Sequence, residues 1–237
     1  MIDEVLRQKI IVALDVPGIT LAEQIVKELS PYVGCFKIGL ELQSAIGGPQ
    51  AIAIVHSHRG QVFYDGKFDD IPNTIAGASR AIANMQVKMF NVHASSGIEA
   101  MKAAVSNKGS SLVLAVTVLT SLDDEMSRKI FGASAKDMVV DFALDAQEAG
   151  CDGIICSPSD LMILQDEPLE KLLKVVPGVR PKWAASNDQK RFTAPAEAIL
   201  AGADYLVIGR PITNPPKEIG TPINAVEAIL NEIEGVL

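Results

Sequence analysis

Short runs rich in isoleucine and valine alternate with helical patterns about eight times along this chain, and that alternation constrains the fold more than any other feature. The runs fall at 10–14, 35–38, 62–65, 89–92, 112–119 and 153–156, weakly near 175–179, and at 205–208. Between and after them, helical patterns are predicted over 21–29, 50–56, 71–83, 98–105, 139–148, 169–173, 195–200 and 224–233. Gly150 closes one helix, Pro195 opens another and Gly202 ends it, in keeping with the preference for proline at helix starts and glycine just past helix ends. Apolar strands separated by helices imply a parallel sheet covered on its outer face. Eight strand–helix units are the count of an α/β protein of the (β/α)8 barrel type, with an open doubly wound sheet as the alternative. The length of 237 residues is close to the ~250 that one such barrel needs. No linker or composition break interrupts the pattern, so a single domain over 1–237 is expected.

Composition removes several classes of function. The chain carries 21 Lys+Arg against 29 Asp+Glu, a formal net charge of −8, with no basic block, which argues against a nucleic-acid partner. No apolar run approaches the ~20 residues of a membrane span. The first residues, MIDEVLRQK, lack the apolar stretch of a signal peptide, so a cytoplasmic protein is expected. Cys35, Cys151 and Cys156 are odd in number and show no metal-type spacing, so neither a disulfide framework nor a metal site is expected of them.

In barrels of this type the chemistry sits at the C-terminal ends of the strands. Polar residues recur there: Asp15 after the first run, Lys37 in the second, Asp65 and Lys67 in the third, and His93 in the fourth. Thr120 and Ser121 follow the fifth run, and Gly209 and Arg210 the eighth. One charge at a strand end is an ordinary rim residue, but several converging on one barrel mouth read as a site. Asp65 and Lys67, two apart on a strand, are expected on one face, where each favours the other's charged form and Lys37 on the next strand reaches Asp65. Asp70, just before Ile71 and Pro72, suits a helix cap and a catalytic role equally. Gly209 beside Arg210 suits a phosphate site, since glycine admits an anion to backbone N–H groups and arginine binds phosphate oxygens in pairs. The polar stretch 180–194, with Arg180, Trp183 and Gln189, is long for a strand–helix connection and reads as a lid, Trp183 packing its base. The cysteines read as core, His56 and His58 as surface residues without a carboxylate partner, and His93 as structural or catalytic.

Taken in order, VALDV, FKIGLEL, FYDGKFDDIPNT, NVHASSG, AVTVLTS, VPGVR, NDQKR and VIGRPIT resemble the orotidine 5′-monophosphate decarboxylase family over nearly the whole chain. The resemblance implies a TIM barrel homodimer that decarboxylates orotidine 5′-monophosphate to UMP without metal or organic cofactor. It implies a charged array of Lys37, Asp65, Lys67 and Asp70, with Lys67 as proton donor and Asp70 supplied by the other subunit. Asp15 and Lys37 would hold ribose hydroxyls, and Ile71 and Thr74 would contact the partner's ligand. Thr120 would lie near the pyrimidine, and Arg180, Gln189, Gly209 and Arg210 at the phosphate. Gly66, Asp69, Ser96 and the Ser186-Asn187 pair depart from the usual pattern, but none replaces a catalytic group. Metal-using sugar-phosphate decarboxylases and hexulose-phosphate synthases share the Asp-x-Lys-x-x-Asp signature. The IPNT, VPGVR and NDQ segments favour the nucleotide decarboxylase over them, and a non-catalytic sugar-phosphate or nucleotide-binding barrel stays as the alternative from a different class, separated by whether orotidylate absorbance falls.

Overall fold

A computed structural model of the chain describes residues 4–166, 168–184 and 193–237. The strands are β1 (Ile10–Ala13), β2 (Cys35–Ile38), β3 (Val62–Phe68), β4 (Met89–His93), β5 (Leu112–Val116), β6 (Gly153–Ile155), β7 (Leu173–Pro177) and β8 (Tyr205–Ile208). They follow one another in sequence order around a closed barrel, so the open-sheet alternative is set aside. The pairings of β1 with β2 and β8, β2 with β3, β4 with β5, β5 with β6, and β6 with β7 are all parallel. Closure removes the free edges on which another strand could pair. The chain forms two compact units, residues 1–65 with 176–237, and residues 66–175.

In the first unit, Val12 of β1 lies opposite Phe36 on one side and Ile208 on the other. Ile10, Ile11 and Val12 are all fully buried, the two-sided burial that an unbroken apolar run predicts. The helix Ile19–Leu29 buries Ala22, Ile25, Val26 and Leu29, and Pro222–Glu234 buries Ala225, Val226, Ile229, Leu230 and Ile233. Both sets follow the helical period, and each large aliphatic side chain removed from water contributes about 1.5–3 kcal/mol.

In the second unit, β4 and β5 pair from Met89↔Leu112 to His93↔Val116. The helix Ala135–Glu148 is capped by Ser134, whose hydroxyl accepts from the Asp137 N–H. Gly150, at φ 80°, lets the chain turn back so that the Cys151 N–H donates to the Ala146 carbonyl. Asp152 then pairs with Lys108 and accepts from the Val113 N–H at 2.7 Å, tying the start of β5 to the approach to β6.

Several boundaries differ from the sequence reading, for identifiable reasons. β5 stops at Val116, and the apolar residues up to Leu119 belong to the following turn. The helix expected over 169–173 is a 3-10 turn, Leu169–Lys171, and β7 begins two residues later. Lys174 obscures that strand in the sequence, because it is buried yet satisfied by the Leu169 and Glu170 carbonyls at 3.1 and 2.8 Å. The helix Asp124–Phe131 was not anticipated: its sequence, DEMSRKIF, is largely polar, and it forms between the Asp123 cap and Gly132 at φ 90°. The helix Leu40–Ile46 was missed as well. All three cysteines are buried, as expected, and none forms a disulfide among the described residues; burial pushes the Cys151 thiol up to about 12. His58 departs from expectation: its Nε2 lies 3.6 Å from Glu23 Oε1. Among the described residues, no helix is long and apolar enough to cross a membrane.

Gly153 lies where the backbone of β7 leaves no room for a side chain. A Cβ there would lie 2.4 Å from the Leu173 carbonyl oxygen and 2.7 Å from the Leu173 Cβ. Gly153→Ala is expected to lower unfolding free energy by about 1–3 kcal/mol in a denaturant titration. Gly77→Ala, inside the helix Pro72–Ala83 with open space around the new methyl group, is expected to leave it unchanged or raise it by up to ~1 kcal/mol.

Candidate active site

The register of β1, β2 and β3 aligns Ala13 with Lys37 and Lys37 with Phe63. Lys37 therefore stands between the residues that lead into Asp15 and Asp65. Its Nζ lies 3.0 Å from Asp15 Oδ1 and 3.2 Å from Asp65 Oδ2. The three side chains differ in exposure: 54% for Asp15, 13% for Lys37 and 8% for Asp65. At ~3 Å and an effective dielectric of ~20, each contact carries a Coulomb attraction on the order of 5 kcal/mol before desolvation is counted. Most of that offsets the cost of burying the Asp65 carboxylate, so removing either partner costs far more than the pair contributes net.

Two residues that sequence reasoning passed over complete this corner. Gly39 follows β2, and a Cβ there would lie 2.7 Å from Lys37 Nζ and 2.9 Å from Asp15 Oδ1, so any side chain would enter the ion pair. Gln43, on the helix Leu40–Ile46, donates from Nε2 to the Ile38 carbonyl at 2.8 Å and the Asp65 carbonyl at 3.1 Å. One amide group thus joins the ends of β2 and β3. The only sequence signal was a glutamine on a short segment that had not been read as a helix.

Gly209 lies on the Asp15 side of this corner, its would-be Cβ 3.9 Å from Asp15 Oδ2. Arg210 follows it and, with Arg180, Trp183, Ala184 and Asn214, lines a pocket of about 420 Å³. Two guanidinium groups on one pocket favour an anionic occupant and offer paired N–H donors to it. Trp183 lies on the pocket wall instead of serving only as packing for the base of the segment. Gln189 falls outside the described residues, as do Ser186 and Asn187.

In the second unit, Lys67 lies near the end of β3 with φ 48°. That left-handed conformation costs a residue bearing a Cβ about 1–2 kcal/mol. The Lys67 N–H donates to Oδ1 of Asn91, a fully buried residue of β4, at 2.7 Å. Asn91 was not singled out from the sequence, although an amide inside the apolar run MFNVH was a visible signal.

Asp70 does not cap the following helix. Ile71 holds the cap position of Pro72–Ala83 with no side-chain cap bond, and Asp70 Oδ1 accepts from the Ile71 N–H at 2.7 Å. Asp70, Ile71 and Thr74 are all exposed, Ile71 by 66%. Thr120 is exposed in the turn after β5. His93 ends β4, and its carbonyl accepts from the Ser96 hydroxyl at 2.6 Å. Among the described residues, no group of three or more His, Cys, Asp and Glu side chains is placed to hold a metal ion.

Lys37→Met removes the ammonium that lies 3.2 Å from the buried Asp65 carboxylate. Unfolding free energy is expected to fall by about 3 kcal/mol near neutral pH. A calorimetric or denaturant measurement within ~0.5 kcal/mol of wild type would contradict this assignment of the ion pair.

Comparison with known proteins converges on one family. The model of the orotidine 5′-phosphate decarboxylase / HUMPS family matches residues 8–221. The orotidine 5′-phosphate decarboxylase of Moorella thermoacetica is 45% identical over 241 residues, covering 97% of this chain and 94% of that protein. Its counterpart in Geotalea uraniireducens is 44% identical, covering 97% of both. Among solved structures, the orotidine 5′-phosphate decarboxylase of Lactobacillus acidophilus superposes with a TM-score of 0.81 at 31% identity, over 94% of this chain and 98% of that one. The Pyrococcus horikoshii enzyme, at 24% identity, has the same fold, with a TM-score of 0.79 over 96% of this chain and 100% of that one. A family match over most of the sequence, with relatives this similar along almost their full length, means that the chain belongs to the orotidine 5′-phosphate decarboxylase / HUMPS family.

Proposed function

We propose that this chain decarboxylates orotidine 5′-monophosphate to UMP through a C6 carbanion that Lys67 stabilises and then protonates. The overall reaction, that of a carboxy-lyase of pyrimidine biosynthesis, rests on the family and on the relatives of matching length. The observation that carries the residue-level reading is the ion pair of Lys37 with Asp15 and the buried Asp65, with Lys67 two residues further along the strand that bears Asp65.

The C6–carboxylate bond breaks, CO2 leaves, and the electron pair stays in the plane of the ring, where resonance relieves little of its charge. A fixed ammonium at C6 stabilises that pair electrostatically and supplies the proton that forms the C6–H bond. Asp65 and Asp70 hold the Lys67 ammonium in place. Their negative charge also opposes the substrate carboxylate: two like charges ~4 Å apart repel by about 4 kcal/mol at an effective dielectric of ~20. Departure of CO2 relieves that repulsion. Such terms cover only part of the ~8–23 kcal/mol typical of enzymatic acceleration. The remainder comes from binding energy gathered at the remote ends of the substrate, with Asp15 and Lys37 on the ribose and Arg180, Gln189, Gly209 and Arg210 on the phosphate. Thr120 sits by the pyrimidine in this reading.

The exposure of Asp70, Ile71 and Thr74 supports a homodimer in which these residues serve the partner's site. A charged catalytic carboxylate needs a more enclosed setting than Asp70 has in the isolated chain. The free, buried cysteines fit a reducing compartment, and we place the protein in the cytoplasm.

Following the loss of orotidylate absorbance tests the reaction directly. Lys67→Ala is expected to lower kcat by at least ~10³-fold while UMP still binds. Turnover is expected to survive treatment with a chelator, which separates this reading from the metal-using branch of the superfamily. Heterodimers of Lys67→Ala and Asp70→Ala chains hold one intact site each and are expected to regain about half of wild-type activity. Heterodimers that form and stay inactive would show that Asp70 does not cross the interface.

A further inference from the structure

The contact between Lys67 and Asn91 has no role in the chemistry proposed above. A lysine has no intrinsic preference for the left-handed region, which glycine, asparagine and aspartate visit most readily. A residue held there at φ 48° must be kept by its surroundings. The Lys67 N–H donates to Asn91 Oδ1 at 2.7 Å, a short and well-formed bond. Asn91 is fully buried on β4 among Met89, Phe90 and Val92, which are themselves fully buried. Close packing leaves its amide little freedom, so the acceptor is a fixed point. An amide in an apolar strand is costly unless its hydrogen bonds are made, and this position would pack more cheaply with an aliphatic residue.

We infer that Asn91 is a positioning residue for Lys67. It acts through the backbone of Lys67. By holding the Lys67 N–H, it fixes the turn of the backbone at the Lys67 Cα and with it the direction in which the ammonium leaves the strand. A backbone rotation of a few tens of degrees is carried along the four methylenes of lysine and grows by the time it reaches Nζ. Misplacing a catalytic group by ~1 Å costs about 10²-fold in rate. The inference rests on Lys67 being the proton donor, and the Lys67→Ala variant is therefore measured in the same series.

Asn91→Leu removes the acceptor while keeping a branched side chain with the same number of heavy atoms, and Asn91→Asp keeps an oxygen in its place. Asn91→Leu is expected to lower kcat about 10- to 100-fold, with KM and the dissociation constant for UMP within about threefold of wild type. Asn91→Asp is expected to recover most of the lost turnover. An asparagine that only supports the barrel would instead lower melting temperature, UMP affinity and kcat together. The positioning role is overturned if folded Asn91→Leu keeps wild-type kcat, if its UMP affinity falls in proportion to its kcat, or if neither Asn91 variant yields folded protein. Wild-type turnover in Lys67→Ala would instead overturn the donor reading on which the inference rests. An inactive Lys67→Ala beside a fully active Asn91→Leu would leave that reading intact and remove only the role of Asn91.

Discussion

The ammonium of Lys37, shared between an exposed and a buried carboxylate, is the interaction on which the rest of this corner depends. A lone carboxylate as buried as Asp65 would take up a proton or unfold its surroundings. Lys37 meets it at 3.2 Å, standing one strand away at a register fixed by the parallel pairing of β2 with β3. Neighbouring choices follow from that arrangement. Glycine suits position 39, because a Cβ there would press on the Lys37 ammonium and the Asp15 carboxylate. Position 43 carries a donor that holds the two strand ends at the spacing the pair requires.

A closed barrel suits this arrangement for a general reason. Strand ends in a closed parallel sheet are held by neighbours on both sides, so side chains leaving them have little backbone freedom to lose. Each unit of this protein uses that property with a side-chain amide. Gln43 bonds the carbonyl of Asp65, and Asn91 bonds the N–H of Lys67. The two amides act on the backbone instead of the functional groups, leaving the carboxylate and the ammonium available for chemistry.

Much of this was legible in the sequence. Two-sided burial of β1 follows from an unbroken apolar run, and the helix Pro222–Glu234 from its spacing. The Lys37–Asp65 pair followed from the placement of charges at strand ends. What stayed hidden was decided by contacts that no local pattern encodes. Lys174 looks like a strand breaker until its ammonium is seen bonded to two carbonyls. The helix Asp124–Phe131 has too little apolar surface to announce itself. Spacing left the role of Asp70 evenly divided, and only the geometry removed the capping alternative. The left-handed turn of the backbone at Lys67 stayed hidden as well.

That turn has a consequence for how the protein evolves. Conformational strain and an ammonium occupy the same residue, so position 67 sets folding against chemistry. Glycine or asparagine would rest more comfortably in this backbone and make the fold sturdier, but neither carries the ammonium that the proposed chemistry uses. Selection for stability alone would remove the lysine, and selection for turnover retains it at a standing cost. A stabilising change at a conserved-looking catalytic position is usually read as an accident of packing. Here it would be the direct mark of a site that holds its reactive group in a conformation the chain does not favour.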